Sequence, residues 1–461
     1  MGNSTSNKKI METAREIKVC READVVVVGG GPGGIGAALA AARNGADTVL
    51  VERYGCLGGM ATGGLVTIIP NLSDKNGKRQ IGGICREWID RLEARDASAS
   101  PKQTDLGSTD KEVVAYYQNR AFFYIQGGMV IDSALIDAEI LKCTLNDMVT
   151  EAGVKVYLHS WGTRAVVDNG KVQGIIFESK SGRQAILGKV IIDSTGDGDL
   201  LPSAGAEFDD KIDPKLRIAH LSLSFWIGNV DLRRAEDFKL AEPQKHAELM
   251  QAAAKSGGHP RYIKSNLKDQ DSIVWFHPRY PCSSQTDVEE LTRVEFEGRK
   301  KVMATYEFYK KYVPGFEHCF VALSAPQLGT RGARRVIGEY MVTQKDLMSG
   351  QVFDDTIAVF PAGGRISPDH IHAYLPYRCL VPRDVDGLLV ACRAFSSDEI
   401  VNTHYNLIPH CIAFGEAAGT AAALAVQAGV EPRKVDYGAL QDQLLKQGVL
   451  LTGVDKAKVK V

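Results

Sequence analysis

The chain has 461 residues, 44% hydrophobic and 24% charged content, and a formal net charge of −1. That length can bury a large core and favours two closely packed domains over one. The near-neutral balance gives no electrostatic ground for binding nucleic acid or an anionic membrane, and no apolar run approaches the about 18 residues of a bilayer span.

Residues 1–19 read as a polar tail without the apolar stretch of a secretory signal. Met1-Gly2-Asn3-Ser4-Thr5-Ser6 matches the short myristoylation pattern, which a polar tail also explains. The first strong element follows. Val25 to Val28 form an apolar run suited to a buried parallel strand. Gly29, Gly31 and Gly34 then satisfy G-x-G-x-x-G around Pro32, and Ile35 to Asn44 is rich in helix formers. Gly45 suits a left-handed helix stop, Thr48 to Val51 reads as a second strand, and Glu52 ends it, 18 positions beyond Gly34. Each part has a task at a dinucleotide: a tight turn, close backbone approach to pyrophosphate, helix–strand packing, a positive helix end, and an acid for the ribose.

Gly58 to Gly64 form a second glycine-rich loop, with Gly59, Met60, Ala61 and Thr62 placed to let a long cofactor pass. Cys56 precedes it, with packing as its default role and covalent flavin attachment as the alternative. The nine cysteines are scattered and contain no C-x-x-C pair, which argues against disulfides, an iron–sulfur cluster or a zinc site. No metal is expected, and a reducing compartment, the cytoplasm, is the expected location. Arg95 to Asp110, rich in Ser, Asp and Thr, reads as a mobile loop. Ser133 to Glu151 has helical periodicity, Val154 to Val156 starts a strand, and Gly170 and Gly182 mark hairpin turns. Val190 to Asp193 reads as another buried strand entering the acidic turn Thr195-Gly196-Asp197-Gly198-Asp199, which lacks the remaining positions of a calcium loop. Pro409 suits a helix start, Ile412 to Ala428 favours helix and Gly429 stops it. Val435 to Val461 reads as a closing helix and charged tail.

The stretches VVVVGGGPGGIGAALAAARNGADTVLVE, LGGMATGG, IIDSTGDGD, LPYRCLVPRDVDGLLVACRAFSS and IPHCIAFGEAAGTAAALAVQAG together resemble the FAD-dependent oxidoreductases related to glutathione reductase and fumarate reductase flavoproteins. The resemblance spans roughly residues 20–450. It implies an α/β fold: a Rossmann-like FAD-binding domain with an inserted small sheet and a discontinuous α+β cap over the substrate. The expected FAD-binding parts are 20–75, 130–205 and 375–435, the cap parts 76–129 and 206–374, and residues 436–461 a C-terminal helix and tail. FAD is the implied cofactor, held by the residues above together with Arg53, Arg393, Gly415 and Ala418. The final helix would aim its N-terminus at the flavin, and its small residues would also serve close packing.

There is no second G-x-G-x-x-G and no redox cysteine pair, so a dedicated nicotinamide domain is disfavoured. The expected partner is a small-molecule substrate, with the electron acceptor and homo-oligomerisation left open. Flavin supplies redox chemistry, so the protein must orient substrate and move protons. His372 and His404 suit proton transfer near neutral pH. Arg331 and Arg335 suit a carboxylate clamp. Family members often carry a basic residue near the position of Asn406, so the resemblance transfers no substrate preference. Oxidation of a small substrate by FAD leads the readings, with alkene reduction or a non-redox flavoprotein as alternatives.

Overall fold

The computed structural model describes residues 9–264, 267, 272–362 and 369–454; the myristoylation pattern lies outside them. The four valines end strand β1 (Lys18–Val28) and are buried, as apolar residues on both faces of a covered parallel strand must be. Helix α1 (Pro32–Arg43) and strand β2 (Thr48–Val51) follow, with Gly45 at φ +88° turning the chain between them. Strands β3 (Lys155–Tyr157), β4 (Trp161–Asp168), β5 (Lys171–Ser179) and β6 (Gly182–Asp193) complete most of one sheet. Its order is β3-β2-β1-β6-β5-β4, and strand β7 (Leu388–Val390) also pairs with β6.

Strands β3, β2, β1, β6 and β7 run parallel, while β4 and β5 are antiparallel. The expected small sheet is therefore not separate. Strand β6 is long enough to pair with β5 along Gly182–Leu187 and with β7 along Ile191–Asp193. The same length explains why β1 starts earlier than the apolar run predicts. Lys18 to Ala23 find open hydrogen-bonding partners on Gln184 to Gly188, so the expected tail already enters the sheet.

Helix α2 (Ile408–Ala428) crosses α1 at backbone contact. A Cβ on Gly415 would lie 1.9 Å from the Gly33 carbonyl oxygen, and one on Gly419 would lie 2.1 Å from that of Ala37. By length and composition alone α2 could cross a bilayer, contrary to the sequence expectation, yet most of it is buried inside the protein. Buried Glu416, whose carboxylate accepts from the Ile84 N–H at 3.0 Å, sits midway along it.

A second apolar core forms around Phe225, Phe276, Tyr309 and Phe316. Strand Phe225–Gly228 lies between Val274–Phe276 and Phe320–Ser324, and helix Val288–Tyr312 packs over them. Asp287 starts that helix by accepting from the N–H groups of Glu289 (2.8 Å) and Glu290 (3.2 Å). Segments expected in the cap divide between the two cores. Helix Gly83–Glu93 and the strand pair Thr356–Pro361 and His372–Pro376 bury Trp88, Phe360 and Leu375 in the core around α1 and α2. The Ser-rich Arg95–Asp110 segment is mostly loop but is fastened down. Tyr124 donates to the Ala99 carbonyl at 2.7 Å, and Tyr117 donates to Asp105 at 2.7 Å.

Candidate active site

At the carboxyl end of β1 the chain turns on Gly29, at φ +99°, where a Cβ would lie 2.4 Å from the Ser194 carbonyl oxygen. A Cβ on Gly34 would lie 1.7 Å from the Gly29 oxygen, so this glycine serves the approach of α1 to β1. Gly31 differs: the nearest atom to a Cβ there is 4.0 Å away. Its missing side chain leaves open space. No side chain caps α1, so its first N–H groups and positive end remain available to an anion.

Glu52 is buried at the end of β2 and accepts from the N–H groups of Gly30 and Tyr54. Burial pushes its carboxyl above the usual range, against the pull of those N–H bonds. The second glycine loop is pinned beside it, with the Gly58 N–H donating to the Gly30 oxygen at 2.8 Å. A cleft results, lined by Gly29, Gly31, Pro32, Glu52, Arg53, Gly59, Met60, Thr195, Gly196 and Arg393. Buried Asp193 shapes its floor by accepting from Thr195 and the Leu200 N–H. Arg393 reaches it alongside Gly196 and donates to Asp197 at 2.7 Å. The residues fit FAD. Open space at Gly31 before an uncapped helix suits a pyrophosphate, and Glu52 is placed for a ribose diol.

A second cavity meets this cleft at Pro32, Met60, Arg393 and Cys411. Phe122, Phe123, Trp275 and Leu407 give it apolar walls, while Arg217, His277, Arg279 and Arg331 line it with charge and polarity. Strand pairing assembles this cluster. His220–Ser222 runs antiparallel to Arg279–Pro281 with Ser222 opposite Arg279, and Ser222 also bonds the Gly329 backbone. Asn406 accepts from Arg217 and donates to the Arg331 carbonyl at 2.7 Å, tying the two together.

Arg331 donates to His277 Nε2, which assigns the ring proton to Nδ1, 2.7 Å from Ser224 Oγ. Burial, then the surrounding arginines, hold His277 well below its ordinary pKa and therefore neutral. Burial, then Arg217 and Arg279, push Arg331 down to about 9. Burial, then Arg279, push Arg217 down to about 10.

His404 lines this cavity, and its Nδ1 lies 2.8 Å from the Ile400 carbonyl, leaving Nε2 to exchange a proton. His372 does not line it. The strand pair that carries His372 packs toward α2, and its Nε2 lies 3.5 Å from Asp74. Arg335 is likewise no substrate clamp. It is buried and donates to Asp209 at 2.7 Å and to the Lys211 carbonyl at 3.0 Å, stapling an internal strand pair. Gly34, Gly415 and Ala418 serve helix packing and do not line the cleft, and Ala61 and Thr62 lie buried beneath its second loop. Asp197 acts through Arg393. Cys56 is part-buried and lines neither cavity. No group of side chains suited to a metal occurs among the described residues. Sequence reasoning missed Arg217, His277 and Arg279; Arg217 lies far from the other two in the chain, and none carries a motif.

Among curated proteins, the chain is 27% identical over 175 residues to digeranylgeranylglycerophospholipid reductase 2 of Methanopyrus kandleri, covering 38% of each chain. It is 28% identical over 183 residues to the corresponding reductase of Methanocella arvoryzae, covering 38% of this chain and 39% of that protein. The match thus spans well under half the length of these relatives. Among solved structures, a geranylgeranyl bacteriochlorophyll reductase-like protein of Thermoplasma acidophilum aligns with TM-score 0.44 and 14% identity, over 92% of this chain and 83% of its own. The flavin-dependent brominase Bmp2 aligns with TM-score 0.46 and 14% identity, over 91% and 83%. The family pattern described as FAD dependent oxidoreductase matches residues 24–444. With that match over nearly its whole length, the chain belongs to the FAD dependent oxidoreductase family and is an FAD-dependent enzyme.

Proposed function

We propose that this enzyme oxidises a small organic substrate held in the apolar cavity, passing a hydride to flavin. The observation that carries this reading is the junction of the two cavities at Pro32, Met60, Arg393 and Cys411, which gives a substrate one direct route to the cofactor cleft. When bound, FAD supplies the two-electron acceptor. His404 Nε2 takes the proton released as a C–OH or C–N bond is oxidised, and the Ile400 carbonyl fixes its tautomer. The aromatic walls exclude water and hold the substrate body, while Arg331 and its neighbours orient a polar end. Arg393, anchored on Asp197, fixes the position of the junction.

One observation favours alkene reduction as a second reading. Burial and two neighbouring arginines bring Arg331 down to about 9, which suits it to donate a proton. The partial likeness to proteins named as reductases supports keeping that reading. Anaerobic spectroscopy separates the two. Bleaching of the oxidised flavin bands by an alcohol or amine supports oxidation. Reoxidation of pre-reduced enzyme by an activated alkene, with no bleaching by any alcohol or amine, replaces it with the second reading.

A further inference from the structure

We propose that the substrate is an organic oxyanion, a carboxylate or phosphate ester, whose charged group sits among Arg217, Arg279 and Arg331 and whose apolar body points toward the flavin junction. The inference rests on reading the larger cavity as the substrate site and adds the chemical class of what enters it.

Three guanidinium groups line one cavity, and among the described residues none has a carboxylate within 4.0 Å. The protein pairs other arginines with carboxylates: Arg335 with Asp209, Arg393 with Asp197, Arg378 with Asp355. Like charges gathered around one cavity, two of them part-buried, without a counter-ion among the described residues oppose folding. Their arrangement therefore calls for an anion from outside. Arg331 also keeps Nε buried without a hydrogen-bond acceptor. His277 cannot supply negative charge. It is neutral, and it spends Nε2 on Arg331 and Nδ1 on Ser224, so it fixes the guanidinium plane that an oxyanion would meet. Asn406 holds Arg217 in the same way.

Position adds to chemistry. Arg331 follows Thr330, which accepts from Arg393 at the junction of the two cavities, so the anion site adjoins the reacting region. An outer groove shares Phe122 and Ile263 with the cavity. Among the described residues, Arg120, Lys239, Arg261 and Lys264 line it with one carboxylate, Glu236, which lies 3.7 Å from Lys239 and 3.3 Å from Lys264.

Benzoate and its neutral counterpart benzamide test this on the flavin-loaded enzyme, with the visible flavin spectrum as the reporter. Benzoate is expected to shift the flavin bands saturably and benzamide to leave them unmoved. Arg279 is exposed, lines the cavity and bonds to no other side chain among the described residues, so Arg279→Gln is expected to keep its flavin and thermal stability while weakening benzoate at least about tenfold. Arg331→Lys, which retains charge but loses the planar fork, is expected to weaken it less. Displacement of benzoate by inorganic phosphate assigns the headgroup to phosphate, and failure to displace assigns it to carboxylate; both outcomes support an oxyanion. Equal response to benzoate and benzamide, no response to benzoate or phosphate, or unchanged affinity in Arg279→Gln overturns the inference. Should uncharged alcohols bleach wild type and Arg279→Gln alike, the redox reading stands and this one fails. Benzoate binding without bleaching by any alcohol or amine has the opposite meaning.

Discussion

The cofactor cleft and the substrate cavity are built on opposite principles. Around the cleft, nearly every polar group is answered within the protein: Glu52 by two backbone N–H groups, Asp193 by Thr195 and Leu200, Arg393 by Asp197. What remains open is backbone, the uncapped start of α1 and the space over Gly31. In the cavity the reverse holds. Charged side chains are left over, with Arg217, Arg279 and Arg331 answered only by neutral partners or by none among the described residues. A cofactor that stays is met by fixed dipoles. A substrate that comes and goes is met by charge that is costly to leave unpaired, so its binding is strongly favoured.

The largest expected effect tests the substrate side. His404→Asn keeps a side chain of similar reach but loses the titratable ring, so kcat is expected to fall about 10²- to 10⁴-fold with flavin content unchanged. A pre-steady-state measurement of flavin reduction checks it, and an unaltered rate removes His404 from the proton path. Next come the two arginines four positions apart. Arg335→Met removes the buried partner of Asp209 and is expected to cost about 2–3 kcal/mol, read as a lower Tm. Arg331→Met removes an unpaired charge and is expected to leave Tm unchanged or raised while abolishing substrate binding. A Tm loss for Arg331→Met as large as that for Arg335→Met would erase the contrast between the two regions.

A third test uses pH in the core beneath the cleft. Burial pushes Glu416 up to about 7, so the folded protein keeps a proton that the unfolded chain releases near its ordinary value of 4.5. Between those values stability falls as pH rises. Glu416→Gln lacks that loss, so its stability relative to wild type should improve by about 2 kcal/mol from pH 5 to pH 8. Parallel thermal scans at the two pH values decide it, and a constant difference would mean that Glu416 is ionised throughout. The smallest effect is on the cofactor side. Gly31→Ala places a methyl group in open space, so the flavin-free protein should melt as wild type does while FAD binds at least about tenfold more weakly. Undiminished FAD affinity would place the cofactor elsewhere in the cleft.

Much of the cofactor unit could be read from the chain because its signals are local. Val25 to Glu52 form strand, turn, helix and strand within one stretch, and Gly29 and Gly34 answer contacts inside that stretch or one strand away. Gly429 ends α2 at φ +65° where expected, and Gly170 and Gly182 turn at φ +77° and +88°. The early start of β1 escaped notice because Lys18 to Ala23 are not apolar; they are strand only because β6 extends beside them. His372 and Arg335 suggested chemistry by residue type, and their contacts with Asp74 and Asp209 assign them elsewhere.

The amino-acid sequence by itself determined the dinucleotide-binding unit, because hydrophobic period, glycine placement and a terminal acid act over a few neighbouring residues. Only the tertiary structure decided what the substrate meets. Arg217, His277, Arg279 and Arg331 become one site when His220–Ser222 pairs with Arg279–Pro281 and Ser222 bonds to Gly329. Charge is a property of single residues, but an uncompensated charge is a property of their arrangement in space.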